Sequence, residues 1–156
     1  LALQGASSHA FSSTSFLQGE VKGKLFMTPL SFAHVILRGD VGYTVVNDLN
    51  ELPLSMRFFA GGMTTVRGYP DSSIGPGKYL GVASIEYRNH IAYDISGAVF
   101  YDIGTATNHF DTPLSRGAGV GLVYESIVGP IKVYAARALS KPGHPYQVEL
   151  SMGPEF

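Results

Sequence analysis

Apolar residues recur at every second position through most of the chain. The alternation is clearest over 93–104: Tyr93, Ile95, Val99, Tyr101 and Ile103 share one parity, and Asp94, Ser96, Ala98, Asp102 and Gly104, with Phe100, take the other. Successive side chains of a strand point to opposite faces, so this period of two predicts a strand with one apolar, uncharged face and one small or acidic face. The same reading holds over 17–27, where Leu17, Val21, Leu25 and Met27 oppose Gln18, Glu20, Lys22 and Lys24. It holds over 33–43, where Val35, Leu37, Val41 and Tyr43 oppose His34, Arg38 and Asp40, and over 79–88, where Tyr79, Ile85 and Tyr87 oppose Ser84, Glu86 and Arg88. In 116–125, Val120, Leu122 and Tyr124 oppose Gly117, Gly119 and Gly121; in 131–137, Ile131 and Val133 oppose Lys132 and Tyr134. The chain closes with Tyr146, Val148, Leu150, Met152 and Phe156 on one parity, and 1–8 is weaker but compatible.

The result is about eight strands of roughly ten residues, the length that crosses a bilayer at a tilt of about 45°. Short joins near 28–31, 89–92 and 128–130 alternate with long ones at 9–15, 47–77, 105–115 and 139–145. Short turns on one side and long loops on the other are the layout of an outer-membrane barrel, with the short turns periplasmic. That count puts Phe156 at the periplasmic edge. The expected class is therefore all-β, an antiparallel transmembrane β-barrel.

A soluble β-sandwich also alternates. Against it, the apolar parities carry almost no charge, the polar parities hold charges at mid-strand, and Tyr clusters near strand ends as in an interfacial girdle. Arg137 is the exception, on the apolar parity and tolerable there only near a strand end or at a bulge. Eight strands could close by themselves, but Gly117, Gly119 and Gly121 leave the inner parity empty, as if to make room for something packed inside.

Composition narrows the picture. The chain has 156 residues, no Cys, no Trp and a net charge of −1. Without Cys there are no disulfides, thiol nucleophiles or Cys-based zinc sites, and the charge balance gives no basic footprint for nucleic acid. Charged residues make up 15%, against about 25% in a typical soluble domain. No run approaches the roughly 18 apolar residues of a spanning helix. The chain begins at Leu1 without a signal-peptide pattern and reads as a processed chain or a piece of a longer one. His9, His34, His90, His109 and His144 show no metal-ligand spacing, and Gly75-Pro76-Gly77-Lys78 departs from a P-loop at Ser72 and Tyr79. No metal, cofactor or enzymatic activity is expected.

The 47–77 connection is long enough to suggest a function. It holds Phe58-Phe59-Ala60-Gly61-Gly62, then Val66-Arg67-Gly68-Tyr69, and is rich in Gly and aromatics, unlike a solvated tip. On residue type alone, Arg67 reads as a solvated loop arginine and Glu86 as an inward charge in water. The ordered set changes that reading. Ser84-Ile85-Glu86-Tyr87, Ala98-Val99-Phe100-Tyr101-Asp102-Ile103-Gly104, Gly117-Ala118-Gly119-Val120-Gly121, Glu125 to Lys132 and the Gly153-Pro154-Glu155-Phe156 ending follow in turn. Together they resemble the BamA/TamA outer-membrane assembly superfamily, the bacterial surface antigen family. The Phe-Phe-Ala-Gly-Gly form and the Gly-Pro-Glu ending are most similar to its TamA branch.

The resemblance covers 52–156 strongly and the start of the chain thinly. It implies that 1–156 is the C-terminal part of a sixteen-stranded barrel, with POTRA domains absent from this chain. It implies a loop inserted in the lumen, whose Val66, Arg67, Gly68 and Tyr69 form the motif and whose Arg67 pairs with the wall acids Glu86 and Asp102. Tyr146, Val148, Leu150 and Phe156 resemble the terminal-strand signal of barrel substrates. The implied function is insertion or secretion of other outer-membrane proteins, such as autotransporters, through a weak lateral seam. The implied setting is the bacterial outer membrane, with its bilayer, unfolded outer-membrane substrates and a TamB-like partner, and no nucleic acid. A two-partner-secretion-type export channel or passive pore is the alternative; an adhesive surface barrel fits the apolar 58–69 stretch poorly.

Overall fold

Antiparallel pairing carries nearly the whole chain. The computed structural model describes residues 2–6, 16–46, 52–109, 111–127 and 129–153. Its strands are β1 (Ala2–Ala6), β2 (Phe16–Leu30), β3 (Ala33–Val46), β4 (Phe58–Ala60), β5 (Ile74–Gly77), β6 (Tyr79–Ala92), β7 (Ile95–Thr107), β8 (Ser115–Ser126), β9 (Gly129–Ala138) and β10 (Tyr146–Met152). Eight of them form one open sheet in the order β1-β2-β3-β6-β7-β8-β9-β10, so chain neighbours are sheet neighbours except where β4 and β5 intervene.

Several expected features shift. β2, β3, β6, β7 and β8 are 12–15 residues long rather than about ten. The turn expected at 89–92 is strand, and the chain reverses at Tyr93-Asp94, where Tyr93 takes a positive φ of 49°. The 47–77 loop contains a 3-10 turn (Leu54–Met56) and the β4–β5 hairpin. Val128 and Phe156 lie outside the described residues.

Register lines the two faces up in rows. On one face Arg38, Ser84, Asp102, Gly117 and Ala138 are successive cross-strand partners. The next inner row is Glu86, Phe100, Gly119 and Ala136; the one after it is Arg88, Ala98, Gly121, Tyr134 and Glu149. On the opposite face Val35, Tyr87, Val99, Val120, Ala135 and Val148 align. The 52–77 segment lies over the first face and leaves the second bare.

The faces differ as the alternation requires. Over the inner face, Phe58, Ala60, Val66, Tyr69, Leu80, Val82, Ala106 and Ala138 form a buried cluster, so the core lies between loop and sheet. The bare face presents Leu17, Val21, Leu25, Val41, Ile85, Val99, Val120, Leu122 and Val133, all exposed. Soluble monomers rarely expose contiguous apolar patches beyond a few hundred Å²; a surface spread over six strands suits hydrocarbon. Tyr43 and Tyr79 stack on this face at 5.0 Å, near its long-loop end. Arg137 sits one residue from the end of β9, where Nε donates to the His144 carbonyl at 3.2 Å and the guanidinium lies over the Tyr146 ring at 5.0 Å. Like Arg116 near the start of β8 on the same face, it lies at a strand end, which explains a cation on an otherwise apolar face.

Candidate functional site

The inner-wall glycines leave room that the loop and two aromatic rings fill. A Cβ on Gly117 would run into the Arg67 carbonyl oxygen, one on Gly119 would come within 2.7 Å of the Phe100 ring, and one on Gly121 would overlap the Tyr134 ring. Gly68 takes a φ of +87°, a conformation that favours glycine, and lies so close to β9 that a Cβ would be 2.9 Å from the Arg137 carbonyl carbon. Upstream, Gly62 N–H donates to the Tyr69 carbonyl at 2.9 Å, while Thr65 bonds both N–H and carbonyl of Gly61. These contacts close the loop on itself and aim Arg67 at the wall.

Arg67 is 1% exposed and Asp102 fully buried. The guanidinium Nε donates to Asp102 Oδ2 at 2.7 Å and Nη2 to Oδ1 at 2.8 Å, a two-pronged pair. Nη1 donates to Glu86 Oε2, and Nη2 also to Ser84 Oγ at 3.2 Å. The backbone N–H of Arg67 adds a bond to Asp102 Oδ2 at 3.0 Å. Phe100 and Tyr134 stand edge to face, with the Arg67 guanidinium 3.6 Å and 4.8 Å from their ring centroids. Burial opposes the cation, but the bonds and charges of Asp102 and Glu86 outweigh it and hold the Arg67 pKa above its ordinary value.

The carboxylates are shared in turn. Glu86 Oε1 accepts from Arg88 Nε at 2.6 Å and from the Tyr134 hydroxyl at 2.8 Å; Asp102 Oδ1 accepts from Ser84 Oγ at 2.6 Å, with Arg38 at 3.9 Å. Two acids facing Arg67, Arg88 and Arg38 leave the cluster without uncompensated negative charge. Beside it two cavities of about 360 and 600 Å³ lie between loop and sheet, the larger lined among others by Lys22, Lys24, Arg38, Asp40, Arg88 and Lys132.

The structure thus brings Val66, Arg67, Gly68, Tyr69, Glu86 and Asp102 together. Val66 and Tyr69 are buried in the loop–sheet core, and the Tyr69 hydroxyl accepts the Ser140 N–H at 3.2 Å. Tyr146, Val148 and Leu150 stand apart from this cluster, exposed on the bare face of β10; Phe156 is outside the described residues. Glu149 is a site residue the sequence reading missed: it is buried on the inner face of β10, and its Oε1 accepts the Gly68 N–H at 3.0 Å. Its signal was a lone acid on the inward parity of the last strand. Ser84, Arg88, Phe100 and Tyr134 also belong to the cluster, and among them only parity hinted at it.

An open antiparallel sheet with an apolar outer face, and a long loop clasped to its other face by a buried arginine, defines part of a transmembrane β-barrel. The chain belongs to the Omp85 superfamily, whose domain description matches residues 1–156. It is also similar in fold to BamA from Haemophilus ducreyi lacking POTRA domains 1–3, with a TM-score of 0.68 and 19% identity. That match covers 93% of this chain and 36% of the other, so the chain spans about a third of that protein's length.

Proposed function

We propose that this chain is the C-terminal half of a sixteen-stranded, TamA-like outer-membrane barrel that inserts or secretes other outer-membrane proteins, autotransporters among them. In this reading the inner face is the lumen wall, and 52–77 is a lumen loop that braces it. Periplasmic POTRA domains and a TamB-like partner belong to the whole protein.

The observation that carries the reading is the state of the last strand. Among the described residues, β10 is seven residues long, against ten in β9 and twelve in β8, and pairs with β9 alone. Gly153, at a φ of +125°, still donates its N–H to the Pro130 carbonyl of β9 at 3.1 Å. A short ladder closing the barrel makes a weak seam. In lipid its unpaired N–H and C=O groups have no water to bond, so an incoming strand gains by pairing with them. No nucleotide is required.

The test uses the full-length protein in liposomes. Unfolded autotransporter barrel is added and its folding followed, with the seam free and with a disulfide joining β10 to the first strand. Folding that the disulfide abolishes supports the assembly reading. A large, stable conductance with no substrate folding overturns it in favour of an export channel.

A further inference from the structure

We infer that Glu149 is a tether that ties the last strand to the Arg67 loop, so that release of β10 is coupled to the clasp at the barrel wall. The inference rests on the proposed function in treating β10 as one side of a seam.

Two consecutive peptide N–H groups of the loop each end on a wall carboxylate. Arg67 N–H donates to Asp102 of β7 at 3.0 Å, and Gly68 N–H to Glu149 of β10 at 3.0 Å. β8 and β9 lie between those strands, so two successive peptide units bridge a span of four strands. The geometry leaves little slack. Gly68 is pressed against the β9 backbone at Arg137 and Ala138, and Tyr69 is held by Ser140 N–H and covered by Lys141 Nζ at 5.1 Å from its ring. Both residues lie in the β9–β10 connection. The motif therefore grips the central wall through Arg67 and the final hairpin through Gly68 and Tyr69.

Glu149 is the one described side chain of β10 that is buried; its strand neighbours Val148 and Leu150 face outward. Its Oε1 carries the bond to Gly68, whereas Oε2 is buried and makes no hydrogen bond among the described residues. If β10 swings away from the barrel, this carboxylate leaves the Gly68 N–H, and that donor is unpaired beside β9. The loss is felt at the residue next to Arg67. Glu149 acts here as a positioning residue, through the loop rather than on a substrate.

The experiment is hydrogen exchange on the full-length protein in liposomes, read over 146–152, over 66–69 and over β6–β7. Glu149→Ala is expected to speed exchange in 146–152 and at Gly68 by roughly tenfold or more, the scale of losing a charge-assisted bond, with β6–β7 unchanged. Glu149→Gln, whose amide oxygen can still accept from Gly68, is expected to restore most of the protection. Val148→Ala, on the outer face of the same strand, controls for trimming a β10 side chain and is expected to leave the Gly68 amide unaffected. The tether is overturned if Glu149→Ala leaves 146–152 and 66–69 as protected as before. It is also overturned if exchange rises equally through β6–β9, or if Glu149→Gln behaves like Glu149→Ala. Exchange is read without substrate, so failure of the assembly assay with the predicted exchange pattern would remove the proposed function and leave the tether standing.

Discussion

Asp102 accepts three hydrogen bonds from the single residue Arg67, two from the guanidinium and one from its backbone N–H. The side chain and the peptide plane of the loop are therefore fixed by the same carboxylate. A planar, permanently charged fork suits this arrangement; a lysine ammonium does not.

Arg67→Ala is expected to destabilise the barrel by about 3–5 kcal/mol, because Asp102 and Glu86 are left buried without their shared cation. Arg67→Lys should recover only part of that loss. Chemical unfolding of the full-length protein in lipid measures both. Combining Arg67→Ala with Asp102→Asn should cost less than the two single changes added together, as expected of residues in direct contact. Additivity would show that the pair is uncoupled.

The glycines of β8 allow a paired test. Gly117→Ala would press a methyl against the Arg67 carbonyl, whereas a Cβ on Gly81 of β6 meets nothing within 4 Å. Overpacking of a filled site costs about 1–3 kcal/mol, so Gly117→Ala should destabilise while Gly81→Ala stays neutral or gains up to about 1 kcal/mol from a less flexible unfolded chain. Equal effects would mean that the loop does not rest on β8.

Tyr134→Phe isolates one bond of the cluster. The ring stays against Phe100 and Arg67, but the hydroxyl no longer donates to Glu86. The expected cost is about 1–2 kcal/mol. Phe100→Leu instead removes the ring 3.6 Å from the guanidinium and should cost about 2 kcal/mol or more, from lost cation–π contact and lost packing.

The faces of the sheet were legible because a period of two survives any choice of register. The parity that puts Ile85 and Tyr101 outward also puts Glu86 and Asp102 inward, where they meet Arg67. Which inward residues touch one another depends on register and strand tilt, and these leave no local trace. Tyr134 reaches Glu86 across 48 residues of chain and Glu149 reaches Gly68 across 81. The β4–β5 hairpin was hidden for a different reason. Its strands have three and four residues, one of them Ile74-Gly75-Pro76-Gly77, too short and too rich in Gly and Pro to alternate. The turn at Tyr93-Asp94 was misplaced because β6 runs on through Asn89, His90, Ile91 and Ala92, where polar Asn89 takes an outward, apolar-parity position and breaks the alternation.

The bare face makes the sharpest prediction about environment. Val99 and Val120 are direct cross-strand partners in the middle of β7 and β8, both pointing away from the loop. If that face meets hydrocarbon, Val120→Lys places an ammonium near mid-membrane and should cost about 2–4 kcal/mol. A native cation on the same face, Arg137, avoids most of this cost at its strand end, braced by the His144 carbonyl and the Tyr146 ring. Reversible unfolding of the full-length protein into denaturant from lipid vesicles reads Val120→Lys beside Arg137→Lys, which keeps the charge at its strand end and should cost far less. A sheet that faced water on both sides would tolerate Val120→Lys within about 0.5 kcal/mol, because a surface lysine in water loses no hydration.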